Sequence, residues 1–538
     1  MHVSDKWART AVVYQVYPRS FKDSNGDGIG DLAGIIEKLD YLNNGTDESL
    51  GVNAIWLNPI YVSPQKDFGY DVSNHCDIDP MYGDLATFDK LVLEAHKRGI
   101  KIIMDFVPNH TSEEHPWFIE SRSSLTNPKR DWYIWRNGEG DGQPPNNWIS
   151  VFNGSAWTLD PITNQYYMHS FLSSQPDLNW RNIEVRSQML NILRFWQKRG
   201  VDGFRADAIY HIVKDSEFKD DLINPAYIPG KSDSYEMLLH THSIWQNEMF
   251  ETTNNFCEVL GEEGDLFLLS EAYLGVADMQ KLYHSCGEGL HAPFNFNFIT
   301  LPWDAMEYKK FTDEFELSLR KDDVPTYVLG NHDRSRVAER WGDARARLGA
   351  ILIFTLRGMP FIYYGDELGM KDTEVPPDKV VDPCAKNVVG TNVGRDPERT
   401  PMQWDVSEHA GFTTGEPWLP VSKEYPYVNV EAQRKDPASM FNLYRHLIRT
   451  RKNSSAILRG RYVPVDSRNK NVFAYIREYE QERMLIAVNF SEELQTVSFD
   501  FGVGQWEINS LLDHADLEHV NLESLLLRPL EGAVFKLP

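Results

Sequence analysis

Four apolar runs in the chain each end on groups that could do acid–base or nucleophilic work. "IKIIMDFVPNH" supplies Asp105, Asn109 and His110, and "GVDGFRADA" supplies Arg205 and Asp207. "DLFLLSEAY" supplies Glu271, and "PTYVLGNHD" supplies Asn331, His332 and Asp333. A single Asp at the end of such a run is ordinarily a helix cap or a loop hydrogen-bond acceptor. Several acids, two histidines and an arginine form a catalytic constellation if the fold brings these ends to one place. Arg205 stands two residues before Asp207, so both side chains point the same way from a strand. The guanidinium would keep Asp207 ionised and oriented, which suits a nucleophile. Glu271 follows Phe-Leu-Leu-Ser, a setting that favours a neutral carboxyl and suits a general acid. A nucleophile and an acid/base about 5–5.5 Å apart are the apparatus of a retaining glycosidase. Asp333 could then grip sugar hydroxyls and help distort the ring, with His110 and His332 as hydrogen-bond donors. The same residue types could serve a metallohydrolase, with His110, Asp207, Glu271 and His332 as ligands. No H-x-H or H-E-x-x-H spacing supports that alternative, and Arg205 would oppose a cation.

The elements that must hold these residues are legible as eight strand-like runs. The four above are joined by "VVYQVYP", "NAIWLNPI", "HAPFNFNF" and "GMPFIYYGDE". Between most of them lie amphipathic stretches such as "LATFDKLVLEAHKRG" and "RSQMLNILRFWQKRG". Their apolar residues recur at three- and four-residue spacing, and both end in Lys-Arg-Gly, basic residues followed by a glycine C-cap. Strands alternating with helices imply parallel β-α units, and eight of them imply a closed (β/α)8 TIM barrel with its active site at the C-terminal ends of the strands. The segment between the third and fourth strands is long and rich in Trp, Asn, Pro and Gly, and it reads as an inserted domain B. The tail changes to short alternating strands, "NVFAYIREY", "RMLIAVNF", "QTVSFDF" and "GAVFKLP", the pattern of a small antiparallel β domain. The expected division is a barrel over 1–109 and 173–461, domain B over 110–172, and a C-terminal β domain over 462–538.

Composition narrows the partners. The chain has 538 residues with 41% apolar and 12% aromatic content, enough for large cores. Its formal charge of −25 repels nucleic acid and anionic lipid, so neither partner is expected, and neutral or cationic ligands are favoured. None of the four cysteines sits in a C-x-x-C pair, and four in so long a chain make no disulfide scaffold. "MHVSDKWART" has no apolar core of a signal peptide, and the apolar run near "LGAILIFTL" is too short to span a bilayer. These features predict a soluble protein of a reducing, cytoplasmic setting, a monomer or weak homodimer.

"DSNGDGIGD" at Asp23–Asp31 places oxygen side chains at positions 1, 3, 5 and 9 with Gly28 at position 6, the opening of an EF-hand loop. It follows a strand rather than a helix, and position 12 is Gly34 where a bidentate Glu is needed. A calcium sensor is therefore not expected. The loop still offers Asp23, Asn25, Asp27 and Asp31, with the backbone carbonyl of Ile29, to a structural Ca²⁺ or Mg²⁺. The alternative is an Asn-Gly/Asp-Gly turn with no ion.

"DFVPNH", "GFRADA", "SEAY" and "GNHD" resemble, in order, the four motif regions of the α-amylase family, glycoside hydrolase family 13. "QPDLNW", "RTPMQW" and the stretch "AVVYQVYPRSFKDSNGDGIGDLAGI" resemble its α-glucosidase and oligo-1,6-glucosidase branch. The resemblance covers nearly the whole chain. It implies a catalytic barrel with an inserted B domain and a C-terminal β domain, and a structural metal in the first loop. It also implies Asp207 as nucleophile, Glu271 as acid/base and Asp333 as transition-state stabiliser, with His110, Arg205 and His332 lining the −1 subsite. "DFGYD" resembles the segment that closes that subsite, where Asp67 and Arg399 would clamp the sugar's non-reducing end and Tyr70 would stack on its ring. Arg395 is the less favoured partner of Asp67. Such a clamp blocks longer chains and implies attack on the terminal glucose. Phe152 and Phe171 would complete an apolar wall, or else serve as domain B core. In this branch Ala or Thr after the nucleophile goes with α-1,4 preference and Val with α-1,6, so Ala208 implies α-1,4 bonds and short substrates such as maltose. Transglucosylases, trehalose-forming mutases and sucrose hydrolases of the same mechanism remain alternatives. So does a non-catalytic, transporter-associated or carbohydrate-binding homologue, against which stand the retained acids. The polar stretch "HIVKDSEFKDDLINPAYIPGKSDSYEM" departs from the pattern and reads as a long loop over the pocket rim.

Overall fold

A computed structural model describes residues 6–230, 233–262, 264, 266–287, 289–387, 394–513 and 518–538. Eight parallel strands form one sheet: β1 (Val13–Val16), β2 (Ala54–Leu57), β3 (Lys101–Phe106), β4 (Gly203–Ala206), β5 (Phe267–Ser270), β6 (His291–Pro293), β7 (Thr326–Val328) and β8 (Met359–Tyr363). The order is β6-β5-β4-β3-β2-β1-β8-β7, so the sheet curls round until β6 meets β7. That seam is closed through a side chain: the Thr326 hydroxyl donates to Pro293 O at 2.8 Å and accepts from Asn295 N at 2.9 Å. All eight expected runs are strands of this barrel. Every residue of β1, β2, β4 and β5 is buried, which is why they read as continuous apolar runs rather than alternating ones.

The helices follow from their end signals. The helix Leu85–Lys97 is capped by Asp84, which accepts from Thr87 N, and it buries Phe88, Leu91, Val92 and Ala95 along one face. Ile183–Gln197 is capped by Asn182 and buries Val185, Met189, Ile192, Leu193 and Trp196. Gly99 and Gly200 after them have φ of 70° and 90°, the left-handed turn that stops a helix.

Between β3 and β4 a three-stranded antiparallel sheet (Trp135–Arg136, Gln165–Met168, Trp157–Asp160) folds over the C-terminal mouth of the barrel. Its small core of Ile134, Trp148, Trp157, Tyr166 and Met168 recruits Phe218 from the stretch after β4. The Phe218 ring lies 5.6 Å from that of Trp148 and 6.0 Å from that of Trp157, with the Arg136 guanidinium 3.8 Å over it. Trp148 Nε1 donates to Lys219 O at 2.9 Å and Asn146 Nδ2 to Phe218 O at 3.0 Å. The long loop expected over the rim is thus fastened to the insertion. Its residues Lys231 and Ser232 lie outside the described residues.

A six-stranded antiparallel sheet ends the chain, in the order 461–465, 472–479, 482–489, 532–536, 503–509, 519–521. The expected strand at "QTVSFDF" is instead a short ribbon, Gln495–Val497 against Leu525–Leu527, and the first, fifth and sixth strands of the main sheet were not among those expected. Arg477 ties this sheet to the barrel by donating to Thr355 O at 2.5 Å, beside a 2.6 Å contact between Thr355 Oγ1 and Tyr475 Oη.

The cysteine expectation needs correction. Cys257 and Cys286 form a disulfide across a separation of 29 residues, while Cys76 and Cys384 are free. Cys257 lies on the helix Glu248–Leu260 and Cys286 follows the helix Val276–Tyr283, so the fold rather than a local motif pairs them. Disulfides are uncommon in reducing compartments, and the cysteine pattern no longer argues for one. Among the described residues no helix is long and apolar enough to cross a membrane.

Candidate active site

The C-terminal ends of β3, β4, β5 and β7 bring the predicted groups together at one mouth. Arg205, 1% exposed, is the hub. Its Nη1 lies 2.7 Å from Asp105 Oδ1 and 2.6 Å from Asp207 Oδ1, and its Nη2 lies 2.7 Å from Glu271 Oε2. Alternation along β4 puts Asp207 and Arg205 on the same side, and parallel pairing sets Asp105 opposite Arg205 in register. Glu271 also accepts from Ala208 N at 3.1 Å. Ala208 has φ 43° and ψ 41°, a left-handed turn that carries the chain away from the strand directly after Asp207.

Three carboxylates therefore share one cation. Burial pushes the Asp207 carboxyl well up, and the negative Glu271 and Asp105 add to this against the pull of Arg205. Burial likewise lifts Asp105, to about 6. Asp105 and Asp207 therefore take up a proton more readily than isolated carboxylates do.

Asp333 stands in the opposite field. Burial works against its charge, but the guanidiniums of Arg399 and Arg395 hold it well below the usual carboxylate range. Arg399 Nη2 lies 2.6 Å from Asp333 Oδ1 and Arg395 Nη1 3.2 Å from the same oxygen. Burial keeps the His332 ring neutral. Gln15 Nε2 is 2.9 Å from its Nδ1, so the proton sits on Nε2, which faces Tyr70 Oη at 2.7 Å. Tyr70 stacks on His332 at an interplanar angle of 6° and reaches Asp105 Oδ2 at 3.1 Å.

The expected pairing of Asp67 with Arg399 is not formed. Arg395 Nη2 makes the ion pair with Asp67 Oδ1 at 2.8 Å, while Arg399 is spent on Asp333 and on His332 O at 2.7 Å. Arg399 ends the short turn Pro397–Arg399 and is buried at 1% exposure, whereas Arg395 precedes that turn and lines the cavity. Asp382 steadies Arg395 from behind at 2.8 Å. Gln175 Nε2 donates to the other oxygen of Asp67 at 3.0 Å.

These groups line a cavity of about 1380 Å³ that includes Asp67, Tyr70, His110, Asp207, Glu271 and Asp333. Phe152 and Phe171 line it too, with rings 5.9 Å apart, and Arg395 sits 5.1 Å over Phe152. His110 packs against Phe171 at 5.2 Å. Toward the rim, Tyr273 stacks on Phe296 at 4.5 Å and the Arg334 guanidinium lies 5.0 Å over Tyr273. The sequence placed Asp105 among the strand-end acids without a role, which its register with Arg205 now supplies, and it ranked Arg395 below Arg399. Nothing local marked Tyr273 as a rim residue.

The Asp23–Asp31 loop lies away from this cavity. Asp23 Oδ1 accepts from Asn25 N and Gly26 N, and Asp31 caps the next helix through Gly34 N at 2.7 Å. Among the described residues no group of three or more His, Cys, Asp or Glu side chains is arranged to hold a metal ion.

Comparison with known proteins agrees with this geometry. The profile of the alpha amylase catalytic domain matches residues 15–460, and that of the maltogenic amylase C-terminal domain matches 463–530. The chain is 38% identical over 572 residues to an oligo-1,6-glucosidase of Heyndrickxia coagulans, covering 99% of both chains. It is 41% identical over 501 residues to an α-glucosidase of Apis mellifera, covering 90% of this chain and 86% of that one. The crystal structure of the α-glucosyl transfer enzyme XgtA superposes with a TM-score of 0.91 at 36% identity, over 99% of this chain and 100% of that one. With its eight-stranded barrel and antiparallel C-terminal sheet, the chain belongs to the α-amylase family, glycoside hydrolase family 13, and is a glycosidase of that family.

Proposed function

We propose that the chain is a retaining, exo-acting α-glucosidase that releases terminal glucose from short α-glucosides, α-1,4 bonds favoured. The observation that carries this reading is the sharing of one guanidinium by Asp207 and Glu271, at 2.6 and 2.7 Å from its two terminal nitrogens. Two carboxyl groups held by one guanidinium are kept together at a single bond, the pairing of nucleophile and acid/base that a double displacement uses. Asp207 attacks the anomeric carbon while Glu271 gives its proton to the departing oxygen, and the glycosidic bond breaks. Glu271 then takes a proton from water, which attacks the same carbon and releases Asp207. Asp333, held ionised by Arg399 and Arg395, accepts hydroxyl hydrogens and supports the oxocarbenium-like transition state. Asp67 and Arg395 grip the non-reducing end, and the small Ala208 beside the nucleophile supports the α-1,4 preference.

An acceptor sugar could replace water in the second step. The exposed Tyr273 ring in the cavity lining and the similarity to an α-glucosyl transfer enzyme favour glucosyl transfer as a companion activity. The deciding experiment is a time course on maltose, isomaltose, sucrose and trehalose with product anomers read by proton NMR. Release of α-glucose, fastest from maltose, is the expected outcome; β-glucose as first product would reject the retaining mechanism.

We also propose a structural Ca²⁺ or Mg²⁺ in the first loop, held by Asp23, Asn25, Asp27, the Ile29 carbonyl and Asp31, an all-oxygen donor set suited to a hard cation. Its part would be to pin the β1 loop. Added Ca²⁺ should raise the thermal midpoint of EDTA-treated protein by several degrees through binding to the folded state; an unmoved midpoint rejects the site.

A further inference from the structure

Beneath the cavity floor lies a buried ion pair that the proposed chemistry does not use. Lys214, in the stretch after β4, sits 2.6 Å from Asp177, and both side chains are fully buried. Asp177 belongs to the segment that leaves the insertion and returns to the barrel. It also accepts from Ser170 N at 3.0 Å and from Ser170 Oγ. Asn109, at the end of β3 and fully buried, bridges the pair to His110.

The arrangement of donors around Asn109 admits one amide orientation. The Lys214 ammonium has three donors and no acceptor, so the atom facing it at 2.8 Å must be Asn109 Oδ1. The Asp177 carboxylate is an acceptor, so the atom facing it at 2.9 Å must be Nδ2. The second hydrogen on Nδ2 points to His110 Nδ1 at 3.1 Å, which must accept it. Burial holds the His110 ring neutral at ordinary pH, lowering it to about 4, so its single proton goes to Nε2. The hydrogen on that nitrogen goes to Tyr70 O at 3.2 Å, on the cavity side; Gln175 Nε2 at 3.1 Å is itself a donor, with its own hydrogen bond to Asp67, and does not accept it.

We infer that Lys214 is a positioning residue: through the Asn109 amide its ammonium fixes the tautomer of His110, so that the edge of the ring lining the cavity carries Nε2–H, a donor held on Tyr70 O and available to share with a bound sugar. Without the cation the Asn109 amide is free to turn over, offering Oδ1 to His110 Nδ1 and moving the proton there. The sugar-facing nitrogen would then be an acceptor. The same pair ties β3, the β4 stretch and the insertion together beside Gln175, which holds Asp67. The effect on turnover rests on the proposed role of His110 toward glucose; the tautomer does not.

Two measurements test this. In protein labelled with ¹⁵N-histidine, with His110 assigned by loss of its signals in His110→Asn, Nδ1 should be bare and Nε2 protonated at neutral pH. The opposite tautomer overturns the inference whether or not any variant folds, and whatever the substrate proves to be. Kinetically, Lys214→Met/Asp177→Asn removes both charges together and with them the donor to Asn109 Oδ1, while the amide oxygen at 177 can still accept from Asn109 Nδ2. It should lower kcat/KM for 4-nitrophenyl α-glucoside by about 10- to 100-fold, the scale of a misaligned binding group, with Lys214→Arg recovering part of the loss. In a His110→Asn background the same charge removal should change kcat/KM by less than about threefold. Equal losses in the two backgrounds overturn the inference. A wild-type protein inactive on every α-glucoside would reject the proposed function and leave the NMR result to decide the tautomer.

Discussion

The two halves of the cavity floor use the same residue types to opposite electrostatic ends. On the β4–β5 side three acids, Asp105, Asp207 and Glu271, crowd one guanidinium. On the β7 side Asp333 meets two guanidiniums, Arg395 and Arg399, with a neutral His332 alongside. Acids in excess of cations retain a proton, and cations gathered round one acid remove it. A glycosidase needs both conditions within one sugar's width: a proton to give to the leaving group, and a permanently ionised carboxylate where positive charge develops. The difference lies in the partners each strand end is given rather than in the acids themselves.

The comparison is broken most completely by Asp207→Asn. Turnover of 4-nitrophenyl α-glucoside should fall by roughly 10⁴-fold or more while circular dichroism stays unchanged; near-normal rates would remove Asp207 from the nucleophile role. Next is Arg395→Leu, which strips Asp67, Asp333 and Asp382 of a shared partner. A loss of about 10- to 100-fold in kcat/KM is expected, with a lower thermal midpoint and more end products from longer oligosaccharides. Arg399→Leu should be the weaker of the two toward chain-length selection, since Arg399 does not touch Asp67.

The pH profile sharpens the contrast. Because burial raises the Asp207 carboxyl, with Glu271 and Asp105 adding to the rise, the acid limb of kcat/KM should lie above the ordinary carboxylate range. Activity is lost as pH falls through that value, where the nucleophile becomes protonated. Asp105→Asn removes one repelling charge and should move the limb to lower pH by up to about one unit; a limb unmoved or shifted upward would show that Asp105 does not set it. The smallest effect belongs to Ala208→Val. A β-branched residue at φ 43° should cost about 1 kcal/mol, seen as a slightly lower midpoint. The ratio of isomaltose to maltose cleavage should also rise, and an unchanged ratio would sever Ala208 from linkage choice.

What the sequence disclosed follows from where the constraints are local. The eight barrel strands are continuous apolar runs because both faces are buried, and each ends on a polar group that the barrel must place at its mouth. Arg205 and Asp207 could be paired from alternation alone. The Asp67–Arg395 contact could not, because 328 residues separate the partners and two arginines four residues apart were candidates for it. The disulfide was hidden for the same reason, its two cysteines being neighbours only once the flanking helices have packed. The strand Val503–Asn509 escaped notice because its burial alternates and a bulge interrupts its pairing between Trp506 and Ile508.

The Phe218 ring wedged among Trp148, Trp157 and Arg136 makes the insertion and the stretch after β4 a single mechanical unit. Two excursions of the chain from neighbouring strands are riveted together at the mouth of the barrel. Exchanging either one alone with a relative would leave an aromatic peg without its socket, so swaps meant to alter chain-length or acceptor preference should transplant both segments as a matched set.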